Sequence, residues 1–345
     1  MRIVTIHVGR VRLSFRIYKQ LDGFTPRCLM CLTNFNFLLT LKFKEMNTFL
    51  VKINFKSALC LLLVTGMFVS CAKDELAPDV GSEDVSTTPR AVYGSNSVDF
   101  DNYSDQRYWR AMAESEFGDL INDNSYDPYN AYVINNRLKV TMPANTVSKG
   151  VLGRFQVEPY KSYEVSFDVA FYNDFDFREG GKIGFGFVFG DGIAGQFPVG
   201  TIQNGNGGTA RIMWKKDDNG DIKFKPYLYF MDMPEPYGSN IGNAFYPTSG
   251  SLIKSLKPNT TYNIKMRVKS NTGNNKNGEI HVKINGQTIL SCDTIKWANK
   301  ENKRWVRQLS FETFRGGKGE EWESDTDGHI YFDNVVVVKD PQGSF

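Results

Sequence analysis

Residues 180–189 read Gly-Gly-Lys-Ile-Gly-Phe-Gly-Phe-Val-Phe, and this stretch decides which fold the sequence predicts. Its side chains alternate with a period of two, which is the pattern of a β-strand with two different faces. One face is apolar and needs a core to pack on, whereas the other is almost bare backbone with Lys182 at its start. Glycine inside a strand often marks the close approach of a ligand or of another backbone. The stretch therefore predicts either the floor of a cleft into which Lys182 reaches, or an edge strand with a solvated lysine.

Further alternating segments flank this strand and are separated by Gly, Asn and Asp turn signals, of which Asn285-Gly286 is a strong hairpin signal. The acidic run at residues 217–221 lies where a hairpin turn belongs and lacks the spaced glutamate of a calcium loop, so it is interpreted as a turn. Many short strands without an internal repeat or a long amphipathic helix predict an all-β, two-sheet β-sandwich, a jelly roll of the concanavalin-like kind. The alternating segments are residues 137–142, 162–171, 209–214, 223–230, 261–268, 278–284, 287–290, 309–314 and 329–338.

The N-terminal part of the chain is interpreted as segments that precede this domain. Residues 46–70 combine a basic start with an apolar run too short to span a bilayer, which predicts a secretory signal peptide. Residues 1–45 are interpreted as an upstream extension from a wrongly chosen start codon, because the signal begins with its own methionine. Residues 71–90 are polar and acidic with no apolar period, which predicts a flexible tether. Residues 91–345 are predicted to form a single jelly-roll domain.

The end of the predicted signal peptide, Phe68-Val69-Ser70-Cys71, resembles a bacterial lipobox. This resemblance implies cleavage before Cys71 and lipidation at that residue. The Ala-Lys-Asp-Glu that follows resembles a short signal that sends some lipoproteins of Gram-negative bacteria to the outer face of the outer membrane. We therefore expect an outer-membrane lipoprotein at the cell surface, with the membrane as a partner through the N-terminal lipid anchor.

The charge balance changes when this N-terminal part is set apart. The whole chain has a formal net charge of +3, but residues 1–70 contain ten Lys and Arg and only two Asp and Glu. The rest contains 31 basic and 36 acidic residues, so its formal charge is −5. A nucleic-acid partner is therefore not indicated, and an anionic ligand has to be met by a local cluster of cations. Cys292 is the one cysteine after Cys71, so no disulfide within the domain is expected.

Three central strands share a chemical pattern. Thr209 and Arg211 lie on one face of their strand, and Tyr227 and Tyr229 lie on one face of the next. If these strands pair beside the strand of Lys182, an ammonium, a guanidinium, a hydroxyl and two phenols converge on one polar face. Plainer interpretations stay open, with the arginine as a cross-strand ion-pair partner and the tyrosines as a stacking platform for sugar rings.

This set of groups suits β-elimination on a uronic-acid polysaccharide. The proton next to a carboxylate is hard to remove because the carbanion carries a second negative charge, and a bidentate guanidinium offsets that charge. A base then takes the C5 proton and an acid protonates the departing O4. Tyrosine near cations, or lysine in a partly desolvated cleft, can perform either step. Neither a metal nor another cofactor is required if arginine performs the neutralisation.

The order of the motifs resembles polysaccharide lyase family 14, the alginate and glucuronan lyase type. The resemblance covers about residues 135–340, and the motifs are fairly specific as a set although each is weak alone. They are, in order, Phe175-Asp176-Phe177, Gly180-Gly181-Lys182, Thr209-Ala210-Arg211-Ile212-Met213-Trp214, Tyr227-Leu228-Tyr229, Asn285-Gly286, Phe311-Glu312-Thr313-Phe314-Arg315-Gly316-Gly317 and Tyr331-Phe332-Asp333-Asn334.

The resemblance implies which residues act. Thr209 stands where the family has a serine, and Arg315 stands where it has a phenylalanine, so both are expected to bind substrate and Arg315 to add a cation near the cleft. The catalytic residues it implies are Lys182, Arg211, Tyr227 and Tyr229.

Two functions follow from these observations. The first is a monomeric surface lyase that cleaves a 4-linked uronic-acid polysaccharide, alginate- or glucuronan-like, by β-elimination without a cofactor or a metal. The alternative is a non-catalytic lipoprotein that binds an anionic glycan in the same cleft. A glycosidase is a distant third, because the carboxylates of Glu321 and Glu323 fall in a polar stretch that is interpreted as a loop.

Overall fold

The computed structural model describes residues 95–121, 126–192 and 205–345, together with the backbone of four strands between residues 2 and 53. The chain divides into two compact units, Met1–Val85 and Ser86–Phe345. Cys71, the predicted tether 71–90 and the predicted signal peptide after Ile53 lie outside the described residues, so these assignments stay predictions. In the first unit, one antiparallel sheet contains in chain order β1 (Arg2–Val8), β2 (Val11–Ile17), β3 (Phe37–Phe43) and β4 (Met46–Ile53).

The larger sheet of the second unit contains nine antiparallel strands. Its strands are β5 (Asn96–Val98), β6 (Gln106–Arg107), β7 (Ala131–Ile134), β8 (Arg137–Met142), β10 (Ser162–Phe171), β14 (Thr261–Lys269), β15 (Gly278–Ile284), β16 (Gln287–Ile295) and β18 (Gly328–Lys339). Their spatial order is β16-β15-β14-β10-β18-β8-β7-β6, and β5 pairs with β18 at the side.

The smaller sheet contains five antiparallel strands, namely β9 (Gly150–Tyr160), β11 (Gly180–Gly190), β12 (Gly207–Lys216), β13 (Ile222–Tyr229) and β17 (Val306–Arg315). Their spatial order is β13-β12-β11-β17-β9. A short helix, α1 (Arg110–Phe117), contributes Phe117 to the hydrophobic core. Within the described part of the chain, no helix is long and apolar enough to cross a membrane.

The two sheets pack face to face through aromatic side chains. Phe185 of β11 stacks on Phe311 of β17 with 4.4 Å between ring centroids. It also meets the rings of Phe167 and Phe332 from the larger sheet edge-on, at 5.4 and 6.3 Å. All four side chains are almost completely buried in one continuous core. The predicted all-β, two-sheet sandwich is therefore confirmed, and the alternating apolar face of residues 180–189 is the face that closes it.

Eight of the nine alternating segments predicted from the sequence lie wholly within strands, and the ninth, 223–230, extends one residue beyond the end of β13 at Tyr229. Strand β9 was not predicted. Its alternation is obscured because apolar Leu152 lies on its polar face and Gly153 on its buried face. The acidic run at residues 217–221 forms the turn between β12 and β13, as predicted. There the carboxylate of Asp217 accepts hydrogen bonds from the backbone N–H groups of Asn219 and Asp221.

The aromatic packing generates a prediction about stability. Phe185→Ala removes a ring that contacts both sheets and leaves a cavity, so we expect the free energy of unfolding to fall by about 3–5 kcal/mol. Trp305→Ala is the control, because Trp305 is 43% exposed, and we expect its cost to stay below about 1 kcal/mol. Urea denaturation followed by circular dichroism measures both. Equal costs in the two variants would contradict the packing described here.

Candidate active site

The outer face of the five-stranded sheet forms the floor of a cleft of about 900 Å³. Strand pairing sets Arg211 of β12 directly opposite Tyr227 of β13, and Lys182 of β11 opposite Met213 of β12. Because alternate residues of β12 point inward, Ala210, Ile212 and Trp214 are buried in the core. The structure therefore brings four of the predicted site residues to one cleft, namely Lys182, Arg211, Tyr227 and Tyr229.

The glycines of β11 allow neighbouring groups of the protein to come close. A Cβ atom on Gly186 would lie 2.2 Å from the carbonyl oxygen of Ala210, so only a glycine at this position lets the neighbouring strand come this close. At Gly184 the backbone has φ +71°, and a Cβ atom would lie 2.4 Å from the ring of Phe167 in the core. Strand pairing shifts register between Ile183 and Phe187, so Gly184 lies in an irregularity of the strand. The strict alternation predicted for β11 is therefore wrong at Gly184.

Lys182 is a buried lysine, 9% exposed, on the cleft floor. Its Nζ lies 4.1 Å from the ring centroid of Tyr227 and 5.9 Å from that of Phe314. Burial and, to a smaller extent, the nearby positive charge of Arg211 lower the pKa of Lys182 to about 7, although the carboxylate of Glu312 opposes the shift. The alternative of a solvated edge lysine is therefore wrong, because β11 is a central strand and the ammonium is largely withdrawn from water.

A buried carboxylate holds Arg211 in place. Nη1 of Arg211 donates to Oε2 of Glu312 at 2.5 Å, and Nε of Arg154 lies 3.3 Å from Oε1 of the same carboxylate. Burial alone would raise the pKa of Glu312, but the two guanidinium groups lower it, so the carboxylate stays ionised. Burial likewise disfavours the charge on Arg211, yet Glu312 raises the pKa of Arg211 above its usual value. Arg211 is thus an ion-pair partner, as the plainer interpretation held, and it also lines the cleft.

The tyrosine pair lies beside these cations. The hydroxyl oxygens of Tyr227 and Tyr229 are 3.2 Å apart, and their rings meet edge-on with 5.5 Å between centroids. Cζ of Arg211 lies 5.4 Å from one ring centroid and 5.6 Å from the other. Thr209 pairs opposite Tyr229, but it is completely buried and is not among the described residues that line the cleft.

Arg315 does not line the cleft. The prediction that it binds substrate as a cation near the cleft is therefore wrong. Arg315 alternates with Phe314, which lines the cleft, and therefore points to the opposite face of β17. Its side chain is completely buried, and its guanidinium donates to the backbone carbonyl oxygens of Met142 and Asp176 at 3.3 and 3.2 Å. Its Cζ lies 5.5 Å from the ring centroid of Phe175. Arg315 is therefore a structural residue at the end of the sandwich.

Several cleft residues were not predicted from the sequence. Glu312 was missed as a site residue because its partner Arg211 is about 100 positions away in the chain. Lys215 and Lys225 could have been found, because each continues the polar face of its strand. Trp322 belongs to a loop, and its ring centroid lies 4.5 Å from Nζ of Lys215 on β12. The described residues that line the cleft include one carboxylate, Glu235, and five basic side chains, namely Lys182, Arg211, Lys215, Lys225 and Lys318.

The described residues contain no group of three or more His, Cys, Asp or Glu side chains placed to hold a metal ion. Glu321 lies in a short 3-10 turn, Glu320–Trp322, and Glu323 follows it before β18. The interpretation of these carboxylates as loop residues is therefore confirmed.

Comparison with known proteins gives close and distant relatives. The structure of the alginate lyase Aly36B is 36% identical in sequence with a TM-score of 0.67, and the match covers 74% of this chain and 100% of that one. A double variant of the same enzyme, solved in complex with an alginate tetrasaccharide, is 35% identical over the same shares of both chains, again with a TM-score of 0.67. A marine alginate lyase from Aplysia kurodai is 18% identical with a TM-score of 0.54, over 70% of this chain and 98% of that one, which supports the fold alone.

A curated relative, the exolysin of Paramecium bursaria Chlorella virus 1, is 28% identical over 191 residues. These residues are 51% of this chain but only 29% of the relative, so this chain spans less than a third of the length of that protein. The family model for polysaccharide lyase 14 matches residues 134–335, which is more than half of the chain and includes the whole cleft floor. The resemblance predicted from the motifs is therefore confirmed, and the chain belongs to the polysaccharide lyase 14 family.

Proposed function

We propose that the domain cleaves a 4-linked uronic-acid polysaccharide of the alginate type by β-elimination in the cleft of the five-stranded sheet. The observation that carries this proposal is the meeting of a buried lysine, an arginine and a tyrosine pair in a cleft whose described lining has five basic side chains and one carboxylate. Such a field attracts a polyanion although the domain itself is formally acidic. Alginate is the first choice of polymer because it is the substrate class in the names of the similar structures.

Arg211 is proposed to neutralise the carboxylate of the sugar whose proton is removed. Glu312 occupies Nη1 of Arg211 and fixes the guanidinium against the floor, so its direction is set before substrate arrives. Because the negative charge of Glu312 partly neutralises Arg211, it also limits how strongly Arg211 binds the carboxylate of the substrate before the reaction. A fixed donor is most useful when charge grows on the carboxylate during proton removal, because no reorganisation is then needed.

Lys182 is proposed to take the C5 proton, with one hydroxyl of the tyrosine pair protonating the departing O4. A lysine whose pKa is about 7 is uncharged in a large fraction of molecules at neutral pH, and only the uncharged amine accepts a proton. The hydroxyls of Tyr227 and Tyr229 share a hydrogen bond beside this amine, so a proton donor is at hand on the same floor. The proton count balances: C5 gives a proton to the amine, C4–O4 breaks, and O4 receives the proton of a tyrosine.

The absorbance of the new C4–C5 double bond tests this proposal directly. We expect the chain to produce an ultraviolet-absorbing product from at least one polymer in a panel of mannuronate, guluronate and glucuronate chains. We expect kcat to fall about 100-fold or more in Lys182→Met and Tyr229→Phe, because each removes a group that acts in the reaction. In Arg211→Lys we also expect a loss, because a lysine keeps the charge but not the planar fork.

Lys269→Met is the matched control, since Lys269 is an exposed lysine of the larger sheet paired with Glu279. Its activity should equal that of the wild type. A flat trace on every polymer, with the protein still retarded in a gel that contains one of them, would replace the lyase with the non-catalytic glycan-binding protein. Undiminished activity in both Lys182→Met and Tyr229→Phe would reject the residue assignment.

A second prediction concerns the pH dependence of the reaction. If uncharged Lys182 is the base, the rate falls as the pH drops through the pKa of Lys182, about 7. Glu312 raises that pKa, so in Glu312→Gln we expect the acidic limb of the rate profile to move to lower pH. Glu312→Asp keeps the negative charge and should move the limb less. An acidic limb that stays in place or moves to higher pH in Glu312→Gln, with the fold verified by circular dichroism, would contradict this coupling.

The cellular location is proposed from the sequence alone. The lipobox-like segment that ends at Cys71 and the apolar run before it support secretion and lipid anchoring at the outer membrane. Residues 54–94 lie outside the described part of the structure, and the proposal rests on their sequence only. An enzyme held at the surface by a tether would meet polymers too large to enter the cell.

A further inference from the structure

The outer face of the nine-stranded sheet presents a row of aromatic and basic side chains. Strand pairing places Arg107 of β6 opposite Tyr132 of β7, Tyr132 opposite Lys139 of β8, and Lys139 opposite Tyr331 of β18. We call these four residues the outer stripe. Their neighbours along β7, β8 and β18 are buried in the core, so the stripe lies on the face away from the core; these neighbours are Val133, Leu138 and Phe332.

Basic side chains contact aromatic rings along the outer stripe and at both of its ends. Cζ of Arg107 lies 4.2 Å from the ring centroid of Tyr129 and 5.3 Å from that of Trp109. Nζ of Lys139 lies 5.9 Å from the ring centroid of Tyr132. At the other end, Cζ of Arg137 lies 4.6 Å from the ring centroid of Tyr331. These contacts hold the charged groups in place against flat apolar surfaces.

The rings of this region are unusually open to solvent for aromatic side chains. Tyr129 is 74% exposed, Trp109 is 48% exposed and Tyr132 is 36% exposed. Beyond Tyr331, Tyr172 is 45% exposed and its ring centroid lies 6.1 Å from that of Tyr331. A group of exposed rings on one face marks a binding surface more often than chance exposure does.

We propose that the outer stripe is a second binding surface for an anionic polysaccharide, separate from the cleft. Sugar rings would stack on the open faces of the tyrosines, and their carboxylates would meet Arg107, Lys139 and Arg137. This inference rests on the proposed function for the identity of the polymer. Four neighbouring strands at about 4.8 Å spacing give the stripe a length of about 14 Å, which suits a short run of sugar units.

The outer stripe contains two basic side chains, Arg107 and Lys139, and no carboxylate, which favours a negative ligand over a neutral one. At the β6 side, backbone N–H groups hold two carboxylates in place without removing their charge, because Asp127 accepts from the N–H of Tyr129 and Asp105 from that of Asn135. At the far side, Asp168 and Asp333 line a small pocket beside Tyr331 and limit the stripe there. Nη1 of Arg107 is buried and has no hydrogen-bond partner among the described residues.

A second surface would change how the enzyme meets a long polymer. A chain held on the outer face raises the local concentration of its other segments at the cleft, because their capture becomes an intramolecular event. Short oligosaccharides cannot reach both places and gain nothing from the stripe. The effect of the stripe should therefore appear with polymer and disappear as the ligand is shortened.

Affinity electrophoresis of the full chain tests the proposal. Every protein carries Lys182→Met so that the polymer is not degraded, and the gels contain either a polyuronate or an uncharged β-glucan. We expect the added pair Tyr129→Ala and Tyr132→Ala to raise the Kd for the polyuronate at least about fivefold, because two stacking contacts are lost. Trp305→Ala, which removes an exposed ring outside the stripe, serves as the matched control and should leave this Kd unchanged.

Each other outcome overturns the proposal in a different way. Equal retardation of the stripe variant and its parent would exclude the stripe as a binding surface. A similar loss in Trp305→Ala would mean that any exposed ring contributes, and a similar loss in the uncharged gel would exclude recognition of charge. Product formation by the enzyme with Lys182 intact is measured in parallel. Failure there tests the proposed lyase, whereas a failure in the gels alone concerns only the stripe.

Discussion

The ion pair between Arg211 and Glu312 is the interaction on which the cleft depends. The pair lies on the polar face of a sheet whose other face packs on the aromatic core, and both side chains are largely withdrawn from water. Leaving either charge buried alone would cost several kcal/mol. Arg154 supplies the second cation that keeps Glu312 ionised. The pair therefore fixes a guanidinium at the cleft floor and sets the electrostatic surroundings of Lys182.

Lys182 illustrates how a functional site departs from what is best for folding. A buried ammonium near a guanidinium is unfavourable, which is why its pKa falls to about 7. Between that value and the usual lysine pKa, the unfolded chain binds a proton that the folded chain does not, so this residue contributes less stability at neutral pH than at high pH. The aromatic core, centred on rings such as Phe185 and Phe311, supplies the stability that offsets this cost.

Much of this arrangement could be predicted from the sequence because strands have a strict period of two. That period placed Lys182, Arg211 and the tyrosine pair on polar faces, and antiparallel pairing then brought them together. The same rule, applied to residues 309–315, places Arg315 on the core side of its strand, in agreement with the structure, whereas the resemblance to a family motif implied a position near the cleft. Glu312 was missed because pairing between strands distant in the sequence cannot be read from local alternation. Loop residues such as Trp322 follow no period at all.

Burial beside Arg211 and over the ring of Tyr227 lowers the pKa of Lys182 to about 7, and the proposed reaction depends on this shift. The most direct test is an NMR titration of the Lys182 side chain in the folded protein with isotopically labelled lysine, assigned with the Lys182→Arg variant. We expect a midpoint at about pH 7 for Lys182, well below the 10.5 of an unperturbed lysine side chain. A midpoint for Lys182 near 10.5 would contradict its role as the base, because a lysine that stays charged at neutral pH is not poised to take the C5 proton.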